Sequence, residues 1–335
     1  MARFLITGAA GFIGSSLVHE LLRQGHEVRG IDDLSCGNME NLATVLPHID
    51  FNQMDINNTA GLRERCRGVD FVLHQAAVAS VPRSIADPVR SHKANIDGTL
   101  SVLLAARDAG VSRVIYAASS SAYGDQPTQP KRETMVPSPL SPYAVQKLAG
   151  EQYVKSFWHV YGLPGVCLRY FNVFGPKQSA DSPYSGVIAR FTSDMLQASQ
   201  PTIFGDGSQS RDFTYIANVV SANLLACFAP AANVVGEVFN IGTGSSQTLN
   251  TLYRSLARLL NWSGPAKYAA SRSGDIEHSE ADINKAMRAL GYRPLVSFDE
   301  GLRVTTDWYL NHASHSTNTP ALNPSAAINS LQMHS

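Results

Sequence analysis

The feature that most constrains the fold is an alternation, over the first 170 residues, between short apolar runs and longer amphipathic stretches. The apolar runs have the length of buried strands, and the stretches between them repeat apolar residues three and four positions apart, as helices do. Predicted strands cover residues 3–7, 27–31, 49–53, 69–74, 112–117 and 165–170; predicted helices cover 12–24, 59–66, 84–109 and 143–161. Such alternation predicts βαβ units, whose strands are parallel and covered on both faces.

The second half of the chain has shorter and more mixed signals. Helices are predicted at 187–199, 216–229 and 248–260, and a strand at 236–240, whereas the proline-rich residues 125–142 are predicted to be a loop. We therefore expect an α/β fold, a doubly wound parallel sheet (Rossmann) with a smaller, mixed C-terminal substrate lobe. The expected limits are 1–175 for the sheet domain, to which later segments return, 176–310 for the interwoven lobe, and 311–335 for a disordered tail.

Composition excludes several classes of protein. Of the 335 residues, 44% are hydrophobic and 16% charged, which is enough apolar material for a core and too little charge for a disordered chain. Lys and Arg (27) balance Asp and Glu (27), so the chain has no global basic field to attract nucleic acid or anionic lipid. No apolar run is long enough for a signal peptide or a bilayer span, so we expect a cytoplasmic protein without nucleic-acid or membrane partners.

The cysteines and histidines give no sign of a disulfide scaffold or a metal centre. Cys36, Cys66, Cys167 and Cys227 are scattered with no CxxC pair, and the interpretation we favour is four buried thiols in a reducing compartment. The ten histidines show no convincing metal-ligand spacing. We therefore expect no metal.

A glycine-rich turn lies between the first strand and the first helix, in the run Thr7-Gly8-Ala9-Ala10-Gly11-Phe12-Ile13-Gly14. Glycines at 8, 11 and 14 allow a tight turn and close backbone approach, so that a pyrophosphate can rest on the helix N-terminus. A plain strand–turn–helix would also accept these glycines, but their place at the first βα junction favours a dinucleotide.

Two acidic positions follow the next strands. Asp32 lies 18 residues after Gly14, where a carboxylate accepts hydrogen bonds from a ribose hydroxyl and favours NAD over NADP. No arginine follows Asp32 closely to receive a 2′-phosphate. Asp55 and Ile56, after the third strand, are candidates for contact with adenine.

A tyrosine and a lysine share one face of the helix after the proline-rich loop. Tyr143 and Lys147 are four residues apart, so that the phenol and the ammonium can point into one site. The lysine cation, together with the positive nicotinamide of NAD⁺, is expected to lower the tyrosine pKa from about 10 toward a working range. Ser119, Ser120 and Ser121 follow the strand at 112–117, at the sheet edge where α/β proteins bind ligands. The alternative to a catalytic pair is a Tyr and a Lys on the exposed surface of the helix. Three hydroxyls at the end of a buried strand make that alternative less favoured.

These motifs carry a resemblance to a known family. The segments TGAAGFIG, SSSAYGDQP, SPYAVQK, LRYFNVFGP and GDGSQSRDF, in this order, resemble the extended short-chain dehydrogenase/reductases that act on nucleotide sugars. The likeness covers about residues 3–310 and is greatest with the UDP-hexose 4-epimerases, especially those of UDP-N-acetylglucosamine. The resemblance implies a tightly bound NAD and a UDP-sugar substrate. It also implies a homodimer in which the helices at 84–109 and 143–161 pair across the axis.

The resemblance implies roles for individual residues. Tyr143 would remove the proton of the sugar 4-hydroxyl while the C4 hydride passes to the nicotinamide, Ser119 would position that hydroxyl, and Lys147 would orient the ribose. The 4-keto sugar would then rotate and take the hydride back on its other face. Implied cofactor contacts are Gly8, Gly11, Phe12, Ile13, Gly14, Asp32, Asp55, Ile56, Ala76, Asn95, Tyr143, Lys147 and Tyr170. Implied substrate contacts are Ser80, Ser119, Ser120, Ser121, Tyr143, Asn172, Gln178, Arg211, Arg272, Asp275 and Ser279.

One position bears on the choice of sugar. Ser279 stands where the epimerases restricted to UDP-glucose and UDP-galactose resemble one another in having tyrosine. A small side chain leaves room for an N-acetyl group at C2, so we expect UDP-N-acetylglucosamine and UDP-N-acetylgalactosamine as substrates.

Several alternatives share the fold and cofactor. Dehydratases and decarboxylases of this family resemble one another in having acidic residues after the strand-end hydroxyl, where Ser120 and Ser121 stand here. A UDP-glucuronate 4-epimerase stays open, because Arg83 or Lys177 could receive the carboxylate. A protein of another class, a non-catalytic NAD(P) sensor, would typically lose the tyrosine, so the presence of Tyr143, Lys147 and Ser119 together argues against it.

Overall fold

The computed structural model describes residues 1–179, 186–271 and 276–316. A seven-stranded parallel sheet forms its centre, with the strands β1 (Arg3–Thr7), β2 (Glu27–Asp32), β3 (Asp50–Gln53), β4 (Phe71–His74), β5 (Arg113–Ser119), β6 (Gly165–Tyr170) and β11 (Val238–Ile241). Their order across the sheet is β11-β6-β5-β4-β1-β2-β3. The sequence-based prediction of a doubly wound α/β fold is confirmed.

Helices cover both faces of this sheet. On one face lie α1 (Phe12–Arg23), α8 (Ile216–Phe228) and α11 (Asn284–Leu290); on the other lie α2 (Thr59–Cys66), α5 (Gly98–Asp108) and α6 (Pro142–Tyr161). Each face has its own cluster of fully buried side chains, such as Leu17 and Phe239 on the first and Leu62 and Val102 on the second. Strands buried on both faces explain why β5 and β6 read as continuous apolar runs.

The predicted single helix at 84–109 is wrong. The chain instead forms α3 (Val81–Ala86), α4 (Pro88–His92), a π-helical turn (Lys93–Asp97) and then α5. The break falls at Asp87, because a residue before proline is pushed away from helical dihedral angles. The Asp87 carboxylate accepts the Arg90 N–H at 2.9 Å and so caps the new helix.

The smaller lobe is built from short strands and three helices. Its strands are β7 (Val173–Phe174), β8 (Thr202–Phe204), β9 (Ser210–Arg211), β10 (Thr214–Tyr215), β12 (Gln247–Thr248), β13 (Lys267–Ala269) and β14 (His278–Ser279). They form the pairs β7–β10 and β8–β13 and the sheet β12-β9-β14. The helices α7 (Val187–Leu196), α10 (Leu249–Leu259) and α12 (Phe298–Ser316) enclose a third apolar cluster. The strand β11 lies in the main sheet and α8 packs on one face of it, although both follow β7–β10 in the chain. The chain therefore crosses between the sheet domain and the smaller lobe several times.

Short segments complete the fold. A four-residue helix, α9 (Ala231–Val234), precedes β11, and 3₁₀ turns span Met39–Leu42, Leu46–His48 and Ser120–Tyr123. The predicted loop at 125–142 ends one residue early, because Pro142 is the first residue of α6, a position that needs no N–H donor.

Two further predictions need correction. The tail predicted from residue 311 is helical as far as Ser316, as the end of α12, and residues 317–335 lie outside the described ranges. Cys66, Cys167 and Cys227 are buried as predicted, but Cys36 is exposed, because it lies in the loop after β2. Within the described ranges no helix combines the length and apolar character needed to cross a bilayer.

Candidate active site

A single large cavity of about 1100 Å³ opens at the carboxyl ends of the main-sheet strands. This is the edge where ligands bind in open α/β sheets, and the volume exceeds that of an ordinary single-ligand pocket. Most residues predicted as site residues line it: Gly8, Gly11, Phe12, Ile13, Gly14, Asp32, Asp55, Ile56, Ala76, Ser80, Ser119, Ser120, Ser121, Tyr143, Tyr170, Asn172, Gln178, Arg211 and Ser279. Arg272 and Asp275 lie outside the described residues.

Two glycines of the glycine-rich turn, Gly8 and Gly14, lie too close to neighbouring backbone for a side chain. Gly8 has φ +70°, and a Cβ there would lie 2.8 Å from the Ala76 nitrogen. A Cβ on Gly14 would lie 2.0 Å from the Gly8 carbonyl oxygen. The turn leads directly into α1, whose first N–H groups have no acceptor within the helix and whose dipole favours an anion. This cradle fits the pyrophosphate of NAD.

Asp32 ends β2 with its carboxylate already oriented. Its Oδ2 accepts the Ala10 N–H at 2.9 Å and its Oδ1 accepts the Leu34 N–H at 2.8 Å. A Cβ on Gly37 would lie 2.8 Å from Oδ1, so the chain approaches the carboxylate closely. Burial raises the pKa of Asp32, and these backbone hydrogen bonds oppose the shift. The carboxylate suits a ribose diol, which donates hydrogen bonds, and would repel a 2′-phosphate.

Asn95 does not lie at the cavity, although it was predicted to contact the cofactor. It is buried behind the wall, where its Oδ1 accepts the Val78 N–H at 2.8 Å and its Nδ2 donates to Gln146 Oε1 at 2.8 Å. Gln146 in turn donates to the Ser91 hydroxyl at 2.9 Å. In this structure Asn95 fixes the segment after β4.

The helix α6 carries Tyr143 to the cavity. Its start is fixed by Ser141, whose hydroxyl accepts the Ala144 N–H, and by the Tyr143 N–H, which donates to the Ser84 hydroxyl at 3.0 Å. Burial raises the pKa of the Tyr143 phenol, and a hydrogen bond with Ser119 opposes that shift. The expected lowering of this pKa depends on Lys147 together with the positive nicotinamide of bound NAD, so it stays a prediction for the NAD-bound protein.

Lys147 lies one turn further along α6, under the cavity floor. Its ammonium donates to the Ala117 carbonyl at 2.9 Å and lies 5.0 Å from the centre of the Tyr116 ring. Burial lowers its pKa to about 8, and the charge of Glu151 opposes the shift. Lys147 therefore still holds a proton at neutral pH.

The strand-end serines form a connected group. The Ser121 hydroxyl donates to the Ser119 hydroxyl at 2.9 Å, and the Ser121 N–H donates to the same oxygen at 3.2 Å. Ser119, at the end of β5, therefore has hydrogen bonds to both Ser121 and Tyr143, and Tyr143 lies in the first turn of α6. The arrangement can hold a substrate hydroxyl and accept or supply its proton.

The opposite wall comes from the smaller lobe. Arg211 on β9 pairs in register with Ser279 on β14, and its Nη1 donates to the carbonyls of Ser210 at 2.9 Å and Glu277 at 3.2 Å. Gln178 donates to the Val173 carbonyl at 3.1 Å. Ser279 is 5% exposed, so that its side chain forms part of the wall without projecting from it.

Sequence reasoning missed several residues around this cavity. Arg90, Lys93 and Gln75 line it, and Gln75 Nε2 donates to the Tyr170 hydroxyl at 3.2 Å. Asn223 of α8 donates to the same hydroxyl at 2.8 Å. Gln75 could have been found as a polar residue directly after the predicted strand at 69–74. Asn223 lies far from the other site residues in the chain, and no pattern in the sequence pointed to it.

Comparison with known proteins agrees with this geometry. The NAD dependent epimerase/dehydratase family matches residues 4–242. The UDP-glucose 4-epimerase of Mycolicibacterium smegmatis is 38% identical over 314 residues, covering 92% of this chain and 99% of that protein. The UDP-glucose 4-epimerase of Thermotoga maritima, solved with UDP-glucose, superposes with a TM-score of 0.88 at 37% identity, covering 93% of this chain and 99% of that one. The UDP-N-acetylglucosamine 4-epimerase of Methanobrevibacter ruminantium, solved with UDP-N-acetylmuramic acid, gives 0.88 at 39% identity, with the same coverage.

With a matching family, a matching fold and a glycine cradle that fits the cofactor, this chain belongs to the NAD-dependent epimerase/dehydratase family and is an enzyme that uses NAD.

Proposed function

We propose that the protein interconverts UDP-N-acetylglucosamine and UDP-N-acetylgalactosamine by inverting the sugar at C4, and that it also accepts the smaller UDP-glucose and UDP-galactose. The observation that carries this proposal is the joint placement of the Tyr143–Ser119 hydroxyl pair, the glycine cradle and Ser279 around one cavity.

The chain's own groups suit the proton transfer. Ser119 holds the sugar 4-hydroxyl against Tyr143, and Tyr143 takes its proton and returns one after inversion. Because burial raises the Tyr143 pKa, the phenolate needs a nearby positive charge, and the protonated Lys147 is the group on α6 that supplies it. When bound, NAD would be held by the glycine cradle and Asp32 and would supply the hydride acceptor and donor for C4.

The substrate end offers contacts for a diphosphate and an uncharged hexose. Arg211 presents a guanidinium, which forms paired, charge-assisted hydrogen bonds with phosphate oxygens. We assign Arg272 and Asp275 to the same end on the basis of sequence alone. Ser80, Asn172 and Gln178 supply neutral polar groups of the kind that bind sugar hydroxyls.

A UDP-glucuronate 4-epimerase is less well supported. Of the two cations considered for a carboxylate, neither lines the main cavity. Lys177 donates to the Asn41 carbonyl at 3.0 Å, and the Arg83 guanidinium lies 2.9 Å from the Cys36 sulfur at a smaller neighbouring cavity. The carboxylate of a UDP-glucuronate in this cavity would therefore not be paired with Arg83 or Lys177, the two residues proposed for it from the sequence.

A substrate panel tests the proposal. Purified protein should convert both UDP-N-acetylhexosamines, show lower activity with UDP-glucose, and leave UDP-glucuronate unchanged, as followed by separation of the C4 products. Heat denaturation should release NAD(H) close to one per chain. Absence of C4 inversion with every UDP-sugar would overturn the proposal and favour a non-catalytic NAD-binding protein.

Ser279→Tyr tests the assignment of the sugar. A phenol on this wall fills the space that the N-acetyl group needs, so activity toward UDP-N-acetylglucosamine should fall at least about tenfold more than activity toward UDP-glucose. Ser279→Ala is the matched control, because it keeps the wall small. Equal losses on both sugars would contradict the assignment.

We also infer a homodimer through α4 and α6. Val89 is 77% exposed and Val145 is 49% exposed, and Val160 and Tyr161 expose apolar surface at the other end of α6. Such surface is costly in water unless another chain covers it. Light scattering should give twice the chain mass, and Val145→Asp together with Val89→Asp should shift it toward the monomer.

A further inference from the structure

The substrate wall that contains Ser279 is an edge strand. We call residues 276–282 the wall segment. Its strand β14 lies at the end of the sheet β12-β9-β14, so β9 pairs with one side of it. On that side the Ser210 N–H donates to the Glu277 carbonyl at 3.0 Å and the Asp212 N–H donates to the Ser279 carbonyl at 2.7 Å. The other side of an edge strand has backbone groups that no strand pairs with, and here that strand forms part of the binding cavity.

A side chain takes the place of a strand on the other side. Gln129 Nε2 donates to the His278 carbonyl at 2.7 Å, and Gln129 Oε1 accepts the Glu280 N–H at 3.1 Å. A primary carboxamide presents an N–H donor and a carbonyl acceptor on one edge, which suits the C=O of one strand residue and the N–H of the residue two positions further on. Its two hydrogen bonds bracket Ser279, the residue between them.

Neighbours of Gln129 extend this pairing along the wall segment. Asp125 Oδ1 accepts the Glu277 N–H at 2.8 Å. The Lys131 N–H donates to the Glu280 carbonyl at 2.7 Å, and the Asp282 N–H donates to the Lys131 carbonyl at 2.8 Å. The loop after the catalytic serines therefore runs beside the wall segment and fixes its backbone at four positions, 277, 278, 280 and 282.

We propose that Gln129 is a positioning residue for sugar selection, which holds Ser279 back in the wall so that a C2 N-acetyl group has room. This inference rests on the proposed function. Gln129 is not among the described residues that line the cavity, so it acts through the backbone of residues 278–280 and not by touching the substrate. When its bonds are removed, the edge strand can move into the cavity, and the larger sugar loses more binding than the smaller one.

The test compares substitutions at two glutamines of the same loop. Gln129→Met keeps the side-chain volume and removes both hydrogen bonds. Gln126→Met is the matched control, because Gln126 Nε2 donates within the loop, to the carbonyls of Tyr123 at 3.0 Å and Val136 at 2.7 Å, and not to the wall segment. KM and kcat are measured for UDP-N-acetylglucosamine and for UDP-glucose.

For Gln129→Met we expect the preference for the N-acetylated sugar, as a ratio of kcat/KM values, to fall roughly tenfold through a higher KM, with both kcat values within about twofold of wild type. Gln126→Met should keep the wild-type ratio. Asp125→Ala removes one exposed bond to the wall segment and should shift the ratio in the same direction by about threefold. This second variant serves if Gln129→Met does not fold.

The outcomes separate the two proposals. Wild-type protein that inverts neither sugar overturns the proposed function. Active wild-type protein, with Gln129→Met and Asp125→Ala both keeping its substrate ratio, overturns the role of Gln129 alone. An equal fall of kcat on both sugars with an unchanged ratio would also overturn it, because that pattern reports general damage to the fold.

Discussion

The glycine-rich turn and the wall segment face the same cavity, but they hold their shape by different means. Residues 8–14 are fixed mainly by close backbone packing inside the turn, as in the approach of Gly14 to the Gly8 carbonyl, with further contacts from Ala76 and the Asp32 carboxylate. The wall segment is fixed by side chains far away in sequence, of which Gln129 and Asp212 are the main ones. The comparison teaches that the cofactor end of the site is a local structure, whereas the sugar end depends on the completed fold.

The largest expected effect is the loss of turnover on substitution of Tyr143, which lines the cavity between these two regions. Tyr143→Phe removes the phenol that we propose as the proton-exchanging group, so turnover should fall by about 10²–10⁴-fold. Bound NAD should stay at the wild-type level, because the glycine cradle is untouched. The measurements are kcat and the NAD(H) released on heating. Tyr153→Phe, on the same helix and away from the cavity, is the control, and near-normal turnover in Tyr143→Phe would disprove the assigned role.

The next effect breaks the local region. Gly14→Ala places a methyl group 2.0 Å from a backbone oxygen, which cannot move without opening the turn. We expect a loss of about 3 kcal/mol in the free energy of unfolding, together with loss of bound NAD. Gly162→Ala is the matched control, because Gly162 has φ +68° with nothing near its Cβ and should lose about 1 kcal/mol. Urea denaturation measures both, and similar losses would refute the packing argument.

A slightly smaller loss of stability is expected when the contacts that hold the wall segment are removed. Asp212 is fully buried and its carboxylate accepts four hydrogen bonds, from the N–H groups of Thr243, Gly244 and Ala281 and from the Thr243 hydroxyl. Asp212→Asn turns one acceptor into a donor that faces N–H groups, so unfolding should become about 2–3 kcal/mol easier.

The exposed Asp206 offers a matched control for Asp212. Its carboxylate accepts the Ser208 N–H and hydroxyl, and Asp206→Asn should leave stability nearly unchanged. In Asp212→Asn the preference for N-acetylated sugar should fall while NAD stays bound. Loss of NAD with retained sugar preference would reverse the distinction between the two ends.

The smallest effect concerns acid stability near the cofactor end. His74 is buried, with its Nδ1 2.7 Å from the Thr7 hydroxyl and its Nε2 3.0 Å from the Thr99 hydroxyl. Since the Thr99 hydroxyl donates to the Asn95 carbonyl at 2.7 Å, it accepts from Nε2, and the neutral ring is a donor on one side and an acceptor on the other. Burial lowers the pKa of His74 to about 3.

The unfolded chain binds this proton near pH 6.5 and the folded chain near pH 3, so stability falls as the pH drops through that interval. Between pH 7 and pH 5 the contribution is about 2 kcal/mol. His74→Gln should flatten that part of the curve, measured by urea denaturation at several pH values, and the exposed His48→Gln should give the wild-type curve. An unchanged slope in His74→Gln would show that another group is responsible.

The same contrast explains which expectations succeeded. The strands at 3–7 and 165–170 were predicted because burial on both sheet faces leaves a continuous apolar run, and the turn at 8–14 because glycine spacing is visible in the chain. The helix predicted at 84–109 failed because its apolar pattern continues through Asp87-Pro88, where a local restriction on backbone angles interrupts it. The role of Asn95 as a wall support also depends on Val78 and Gln146, which sequence order does not bring together.

The amino-acid sequence by itself determined the alternation of strands and helices, the glycine-rich turn and the Tyr143–Lys147 spacing, because each is a pattern of residues close together in the chain. Only the tertiary structure decided that burial raises the Tyr143 pKa, that Lys177 and Arg83 do not line the main cavity, and that Gln129 brackets Ser279. These properties arise from desolvation and from hydrogen bonds between segments up to about 150 residues apart, as in the pairing of Gln129 with Glu280. Hydrophobic periodicity along the sequence does not predict such contacts between distant segments.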